Sequence, residues 1–113
     1  MASSQPQAFR TVDQEISYHV FMGELASGRG DPEVAAQEYQ AAADLSTDPS
    51  LAAHAALLAY GDGDLTQALA LAERWQSLAP KSADATHMKA VLEARQGDSL
   101  AAAHDFAALV RSG

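Results

Sequence analysis

Histidine side chains are the residues of this 113-residue chain best suited to metal binding or proton transfer. The four histidines are His19, His54, His87 and His104, each in a different part of the sequence. No two have the His-x3-His spacing that places a pair of ligands on one helix face. We therefore predict that the chain holds no metal and no cofactor, and that the histidines serve as half-buried hydrogen-bonding groups or as partner contacts.

Catalytic groups are also poorly represented. The chain has no cysteine and no Gly-x-Ser-x-Gly sequence, so neither common type of activated nucleophile is present. Two close carboxylates, Asp62 and Asp64, alternate with glycines in a segment typical of a turn. That segment resembles the start of a calcium loop but lacks the later glutamate that such a loop requires. The sequence thus predicts a protein that is not an enzyme.

Composition narrows the range of partners. Fifteen acidic and seven basic residues give a formal charge of -8, which repels nucleic acid phosphates and anionic lipid. No run of 18 apolar residues is present, so we expect no insertion into a membrane. Hydrophobic residues make up 48% of the chain, enough for one core. The expected partner is another protein or a peptide.

A repeated glycine-aspartate pair gives the strongest indication of architecture. The pairs are Gly30-Asp31, Gly63-Asp64 and Gly97-Asp98, at intervals of 33 and 34 residues. Each pair separates two segments whose apolar residues recur with helical spacing. A period of this length is typical of helical repeat proteins, in which neighbouring units stack because one pair of helices cannot bury its apolar face alone.

Helix starts are marked by side chains that can cap a first turn, and in two cases by a following proline. The predicted caps are Thr11, Asp31, Asp48, Asp64, Ser82 and Asp98. The predicted helices span residues 12–28, 32–46, 49–60, 65–78, 83–95 and 99–111. We therefore predict an all-α fold of three stacked helix-turn-helix hairpins over residues 12–113, with repeats at about 16–48, 49–82 and 83–113, after a flexible linker at 1–11.

The second helix of two repeats carries an alanine followed four residues later by an aromatic residue, Ala35 with Tyr39 and Ala102 with Phe106. This pattern resembles the tetratricopeptide repeat. The family also has a small residue where paired helices cross, matched here by Gly23, Ala56 and Ala90, and a proline between units, matched by Pro80. The resemblance implies a short right-handed superhelical solenoid that acts as a binding scaffold.

Some positions depart from that family pattern. The large residues of the first helices are replaced by His19, Met22 and Ala26 in the first unit and by Ala52, Ala55 and Ala59 in the second. In the third unit, Lys89 and Glu93 occupy packing positions. Their spacing of four residues allows a pair at the rim, but the placement favours a helix that is rotated or slightly out of register. Trp75 stands where the family has a small residue, and we predict that it wedges between second helices.

A weaker similarity links the chain to alanine-rich tetratricopeptide proteins of bacterial envelopes, some of them adaptors. It rests on residues 47–60, where alanines follow an aspartate-proline helix start. The similarity favours the bacterial periplasm or envelope over the cytoplasm, and the absence of cysteine leaves both open.

The resemblance implies that the first helices line a concave surface. The residues predicted there are Val20, Phe21, Glu24, His54, Leu57, Tyr60, His87, Met88 and Val91. Most are apolar or aromatic, which suits docking of a helix or an extended peptide, although some belong equally well in the core. The leading functional hypothesis is therefore a protein-interaction module with an apolar groove.

The last segment supports an alternative hypothesis. Residues 100–110 are apolar around most of the helix, whereas a terminal solenoid helix normally has a polar outer face. We expect either further repeats beyond residue 113 or a second copy of the chain to cover this surface. On that hypothesis the chain is a structural or oligomerisation segment that uses its C-terminal helix.

Overall fold

The computed structural model describes residues 11–97 and 99–112, which form six α-helices and no strand. The helices are α1 (Val12–Gly28), α2 (Pro32–Leu45), α3 (Pro49–Gly61), α4 (Leu65–Leu78), α5 (Ala83–Arg95) and α6 (Ser99–Ser112). Every bound lies within one residue of its prediction, so the all-α class is confirmed. Most of the predicted linker, residues 1–10, falls outside the described residues, as do Asp98 and the side chain of Ala102.

Side-chain caps begin five of the helices as predicted. In each case an oxygen of the capping side chain accepts a hydrogen bond from a first-turn amide that has no partner within the helix. The bonds join Thr11 to the Gln14 amide (3.0 Å), Asp31 to Val34 (3.4 Å), Asp48 to Ser50 (2.9 Å), Asp64 to Gln67 (3.1 Å) and Ser82 to Ala85 (3.1 Å).

The glycine-aspartate pairs form the turn inside each of the first two hairpins. Gly30 has a φ of 73°, a conformation that L side chains rarely adopt, and its amide donates to the Ser27 carbonyl at 3.1 Å. The Asp31 amide then donates to the Ala26 carbonyl at 2.9 Å, which completes a Schellman motif. Gly63 and Asp64 repeat this arrangement. Each aspartate therefore closes one helix with its amide and caps the next with its carboxylate.

Helices that are consecutive in sequence pack against one another. Among the described residues the substantial pairings are α1 with α2, α2 with α3, α3 with α4, α4 with α5 and α5 with α6. The principal dimensions are 56 × 27 × 20 Å, and the radius of gyration is 16.0 Å. A compact domain of this length has a radius of gyration of about 13 Å. The molecule is therefore longer than a globular domain of equal size.

Alanine dominates the core. On α3 and α4 the buried residues are Ala52, Ala55, Ala56, Ala59, Ala68, Leu71 and Ala72. Small side chains bury little area each, so the helices must approach closely to remove voids. Gly23 shows how close the approach is, because a Cβ atom there would lie 2.7 Å from the Tyr39 ring. The small side chains at these positions therefore set a short distance between the paired helices.

Arg74 of α4 ties the second hairpin to the end of the first. Its Nε donates to the Ala43 carbonyl at 2.9 Å, and its Nη2 donates to the Ser46 carbonyl at 2.8 Å. Carbonyls at the C-terminal end of a helix have no partner within that helix. The guanidinium therefore completes the hydrogen bonding of α2 from the neighbouring hairpin.

Charged side chains join α5 to α6. Lys89 and Glu93 pair on α5, with 3.5 Å between Nζ and Oε2. The pair does not lie at the rim, because Glu93 is only 6% exposed and Lys89 also contacts Asp105 of α6. The charged residues at these packing positions therefore meet one another where α5 packs against α6.

Candidate functional site

A mainly apolar groove lies between α3 and α5, where several of the predicted site residues meet. It is lined by Leu57 and Tyr60 of α3, Trp75 of α4, and Asp84, His87, Met88 and Val91 of α5. Its volume is 320 Å³, near the lower end of the roughly 300–1,000 Å³ range of ligand pockets. We call it the α3–α5 groove.

Helical periodicity explains how these residues come together. On α5 the lining residues Asp84, His87, Met88 and Val91 follow the i, i+3, i+4, i+7 pattern, which places them on one face. Leu57 and Tyr60 have the same relation on α3. Because α4 packs against both of these helices, Trp75 joins the two faces.

The groove combines anchored and free side chains. Tyr60, Trp75 and Met88 are half-buried and pack against the hydrophobic core. Leu57 is 55% exposed, although it is a large apolar residue. Exposed apolar side chains beside a well-supported aromatic floor are typical of a surface that buries more area when a partner binds.

Charges of opposite sign lie toward the two ends of the groove. Asp84 stands in the first turn of α5, and Arg95 stands in its last turn. The Arg95 guanidinium carbon lies over the Tyr60 ring, 5.4 Å from its centroid, a cation–π contact. Arg95 lies eleven positions after Asp84 on the helix, or about 16 Å along the axis. The groove is therefore apolar in the middle and polarised along its length.

The predicted site residues divide into two groups in the structure. Leu57, Tyr60, His87, Met88 and Val91 line the α3–α5 groove. Val20, Phe21, Glu24 and His54 do not, and they lie on α1 and at the middle of α3.

Two members of the second group, Glu24 and His54, contact Tyr39 of α2. The His54 ring meets the Tyr39 ring edge-on, with 4.3 Å between centroids. Burial raises the pKa of Tyr39, and the negative charge of Glu24 and its hydrogen bond with the phenol raise it further. Val20 packs against the core here, whereas Phe21 is 58% exposed. These contacts join α1, α2 and α3, so most of this group supports the fold.

Trp75 and Asp84 are groove residues that the sequence pattern does not assign. The pattern predicts Trp75 between second helices; in the structure it lines the α3–α5 groove together with residues of α3 and α5. Trp75 lies four residues after buried Leu71, and therefore on the same face of α4. This spacing indicates an inward-facing side chain but does not show which neighbouring helix the side chain contacts. Asp84 is a first-turn carboxylate, which helix capping and dipole effects explain equally well.

The histidines are distributed over separate environments. His19 contacts Glu38 at 2.8 Å and Glu15 at 3.7 Å, while the His87 ring lies edge-on to Phe106, 6.0 Å between centroids. Within residues 11–97 and 99–112 no three histidine, aspartate or glutamate side chains are grouped as a metal site would require. Over the same ranges, no helix is both long and apolar enough to cross a bilayer.

A second surface lies at the far end of the chain. Leu100 and Val110 of α6 are 83% and 81% exposed. A cavity of 520 Å³ opens between α5 and α6, lined by residues that include Pro80, Thr86 and Leu109. This region corresponds to the apolar last helix singled out in the sequence.

The chain matches no protein-family model, and a search of curated proteins gives no match. The chain's own residues are therefore the basis on which a function can be assigned.

Proposed function

We propose that this chain is a non-catalytic interaction module that binds a segment of another protein, or a peptide, in the α3–α5 groove. The observation that carries the proposal is the groove itself, in which seven residues from three helices form one mainly apolar cavity. Its aromatic and methionine side chains provide adaptable contact area at a modest cost in side-chain entropy.

The proposal includes a short right-handed solenoid of the tetratricopeptide type. Consecutive packing of the helices and the elongated dimensions support this arrangement. Gly23, Ala56 and Ala90, the small residues expected at helix crossings, are all buried. In such an array the first helix of each hairpin faces the bound segment.

Charge indicates the chemistry of that segment. The groove is apolar between Asp84 and Arg95, and the whole chain carries a net charge of -8. The complementary partner is an amphipathic segment with apolar side chains over Leu57 and Trp75, and with a basic residue beside Asp84. Electrostatic attraction of this kind mainly raises the association rate and fixes orientation.

Peptide selection tests the proposal and does not require an identified partner. Peptides are selected from a random displayed library on the wild-type protein, and their Kd values are measured by fluorescence anisotropy. We expect Leu57→Lys to weaken binding by about tenfold or more, because it places a charge in the apolar contact. Leu100→Lys, an equally drastic change on exposed α6, is the matched control and should leave Kd unchanged. Selected peptides that bind Leu57→Lys as tightly as wild type would rule out this groove.

The exposed face of α6 supports a second candidate, self-association through the last helix. Apolar residues as exposed as Leu100 and Val110 favour contact with another chain. Sedimentation at increasing concentration would show a dimer that Val110→Lys dissociates and Leu57→Lys preserves. A monomer throughout the concentration series would remove this candidate and leave the groove proposal standing.

A further inference from the structure

Two buried carboxyl groups and one ammonium group meet between α5 and α6. Lys89 Nζ lies 3.1 Å from Asp105 Oδ2 and 3.5 Å from Glu93 Oε2. Asp105 is 7% exposed and Glu93 6% exposed. With all three groups ionised, the cluster would carry one uncompensated negative charge in a site with little access to water, which is strongly unfavourable.

An unsatisfied hydrogen-bonding atom indicates that Glu93 is the carboxyl group with the excess negative charge. Glu93 Oε1 is buried and has no hydrogen-bond partner among the described residues. An ionised carboxylate can only accept hydrogen bonds, whereas a protonated one can donate to the neighbouring carboxylate. A proton on Glu93 would remove the excess charge and supply a donor toward Asp105.

The electrostatic surroundings of the two carboxyl groups differ. Burial, and then the hydrogen bond with Asp105, raise the pKa of Glu93 from 4.5 to about 7, although the charge of Lys89 acts in the opposite direction. Burial also acts to raise the pKa of Asp105. Hydrogen bonds from Glu93 and Lys89, with the charges of Lys89 and His104, outweigh burial and lower it. The proton therefore belongs to Glu93.

Other charged groups on the packed helices leave this balance in place. From α6, Asp105 and His104 face the cluster, and from α5 itself Lys89 does so. On α4, which packs against α5, the charged residues are Glu73, which is exposed, and Arg74, which is bound to carbonyls of α2 and the following turn.

We propose that protonated Glu93 donates a hydrogen bond to Asp105 that holds α6 against α5, and that loss of this proton as the pH rises to neutral and above loosens the last helix. The folded state binds this proton more tightly than the unfolded chain does, so the folded state holds more protons between pH 4.5 and about 7. Stability from this source is full below that window and is lost as the pH rises through it. The inference is independent of the proposed binding function.

Carboxyl ¹³C NMR of the full chain tests the titration directly. The Glu93 side-chain carbon should titrate with a midpoint near 7. A Glu93 midpoint near 4.5 would overturn the proposal.

Urea unfolding at pH 5.5 and pH 8.5 tests the effect on stability. Between these values the wild-type folding constant should fall on the order of tenfold because of this one group. Glu93→Gln preserves the shape of the protonated side chain and should remove that part of the fall, and Glu73→Gln should retain it. Equal pH dependence in wild type and Glu93→Gln would contradict the proposal. If Glu93→Gln does not fold, the NMR titration decides.

Hydrogen exchange locates the change. After correction for the intrinsic effect of pH on exchange, amides of α6 should lose protection between pH 5.5 and 8.5 more than amides of α3. Uniform loss across the chain would show that the proton stabilises the whole fold and does not act on the last helix.

Discussion

Two buried polar contacts between helices differ in how they balance charge. Arg74 joins α4 to the end of α2 by donating to backbone carbonyls, which are neutral acceptors. Lys89 joins α5 to α6 by contacting two carboxyl groups, of which one is in excess. The first contact keeps its charge at any ordinary pH because a guanidinium does not lose its proton. The second depends on proton uptake. The contact between α4 and α2 is therefore independent of pH, whereas the contact between α5 and α6 depends on pH.

The packing of the two regions also differs. Around the first contact the core consists of Tyr39 and many alanines. At the last hairpin Leu92 is the largest fully buried side chain of the described residues, and few large apolar residues accompany it. We expect the last hairpin to depend on individual side chains more strongly than the first two do.

Truncation of Leu92 should therefore give the largest effect. Leu92→Ala removes a fully buried side chain and leaves a cavity, which typically costs about 2–5 kcal/mol. Chemical denaturation would measure the loss. Leu57→Ala is the matched control because Leu57 is exposed, and its effect should stay within about 0.5 kcal/mol. Equal losses for both variants would contradict the burial described for α5.

Replacement of Arg74 should give the next largest effect. Arg74→Met keeps much of the aliphatic stem but removes the hydrogen bonds to Ala43 and Ser46, and charged hydrogen bonds of this kind contribute about 1.5–3 kcal/mol. The loss should be the same at pH 5.5 and 8.5, unlike the effect of Glu93→Gln. Arg74→Lys should recover only part of it, since an ammonium lacks the planar fork that reaches two carbonyls. A pH-dependent loss in Arg74→Met would remove the contrast between the two contacts.

Gly23→Ala should have a smaller net effect. The added Cβ would overlap the Tyr39 ring, and overpacking typically costs about 1–3 kcal/mol. The higher helix propensity of alanine offsets up to about 1 kcal/mol of this. Gly28→Ala is the control, because a Cβ there meets nothing within 4 Å, and it should stabilise the protein slightly. Thermal unfolding of both variants would show opposite shifts in Tm; shifts of the same sign would count against close packing of α1 on α2.

The helix bounds and turns were predictable because the residues that determine each of them lie within a few positions of one another. Asp31 and Asp64 follow glycines, and each cap bond spans three positions of the sequence. The Schellman turns need only a glycine in the right place. For these reasons the bounds of all six helices agree with prediction.

The site was predictable only in part because it depends on how helices rotate against one another. Leu57, Tyr60 and Met88 can be assigned to the site from the helix face on which each of them lies. The structure brings these three side chains together in one groove. His54 has the same periodic relation to Leu57 but lies against Tyr39 instead. Trp75 and Glu93 fall on packing faces, but the neighbours that they meet are set by crossing geometry, which spacing along one helix does not specify.

The Arg74 contact has a mechanical consequence. It crosses the boundary between the first and second hairpins, whereas the boundary between α4 and α5 is bridged by neutral side-chain hydrogen bonds, from Gln76 to Thr86 at 3.1 Å and from Gln96 to Thr66 at 3.3 Å. When the chain is stretched from its two ends, the contact between α4 and α5 should therefore break first. The last hairpin is then released while the first two hairpins remain joined. In an optical-tweezers trace, Arg74→Met should abolish that order of rupture.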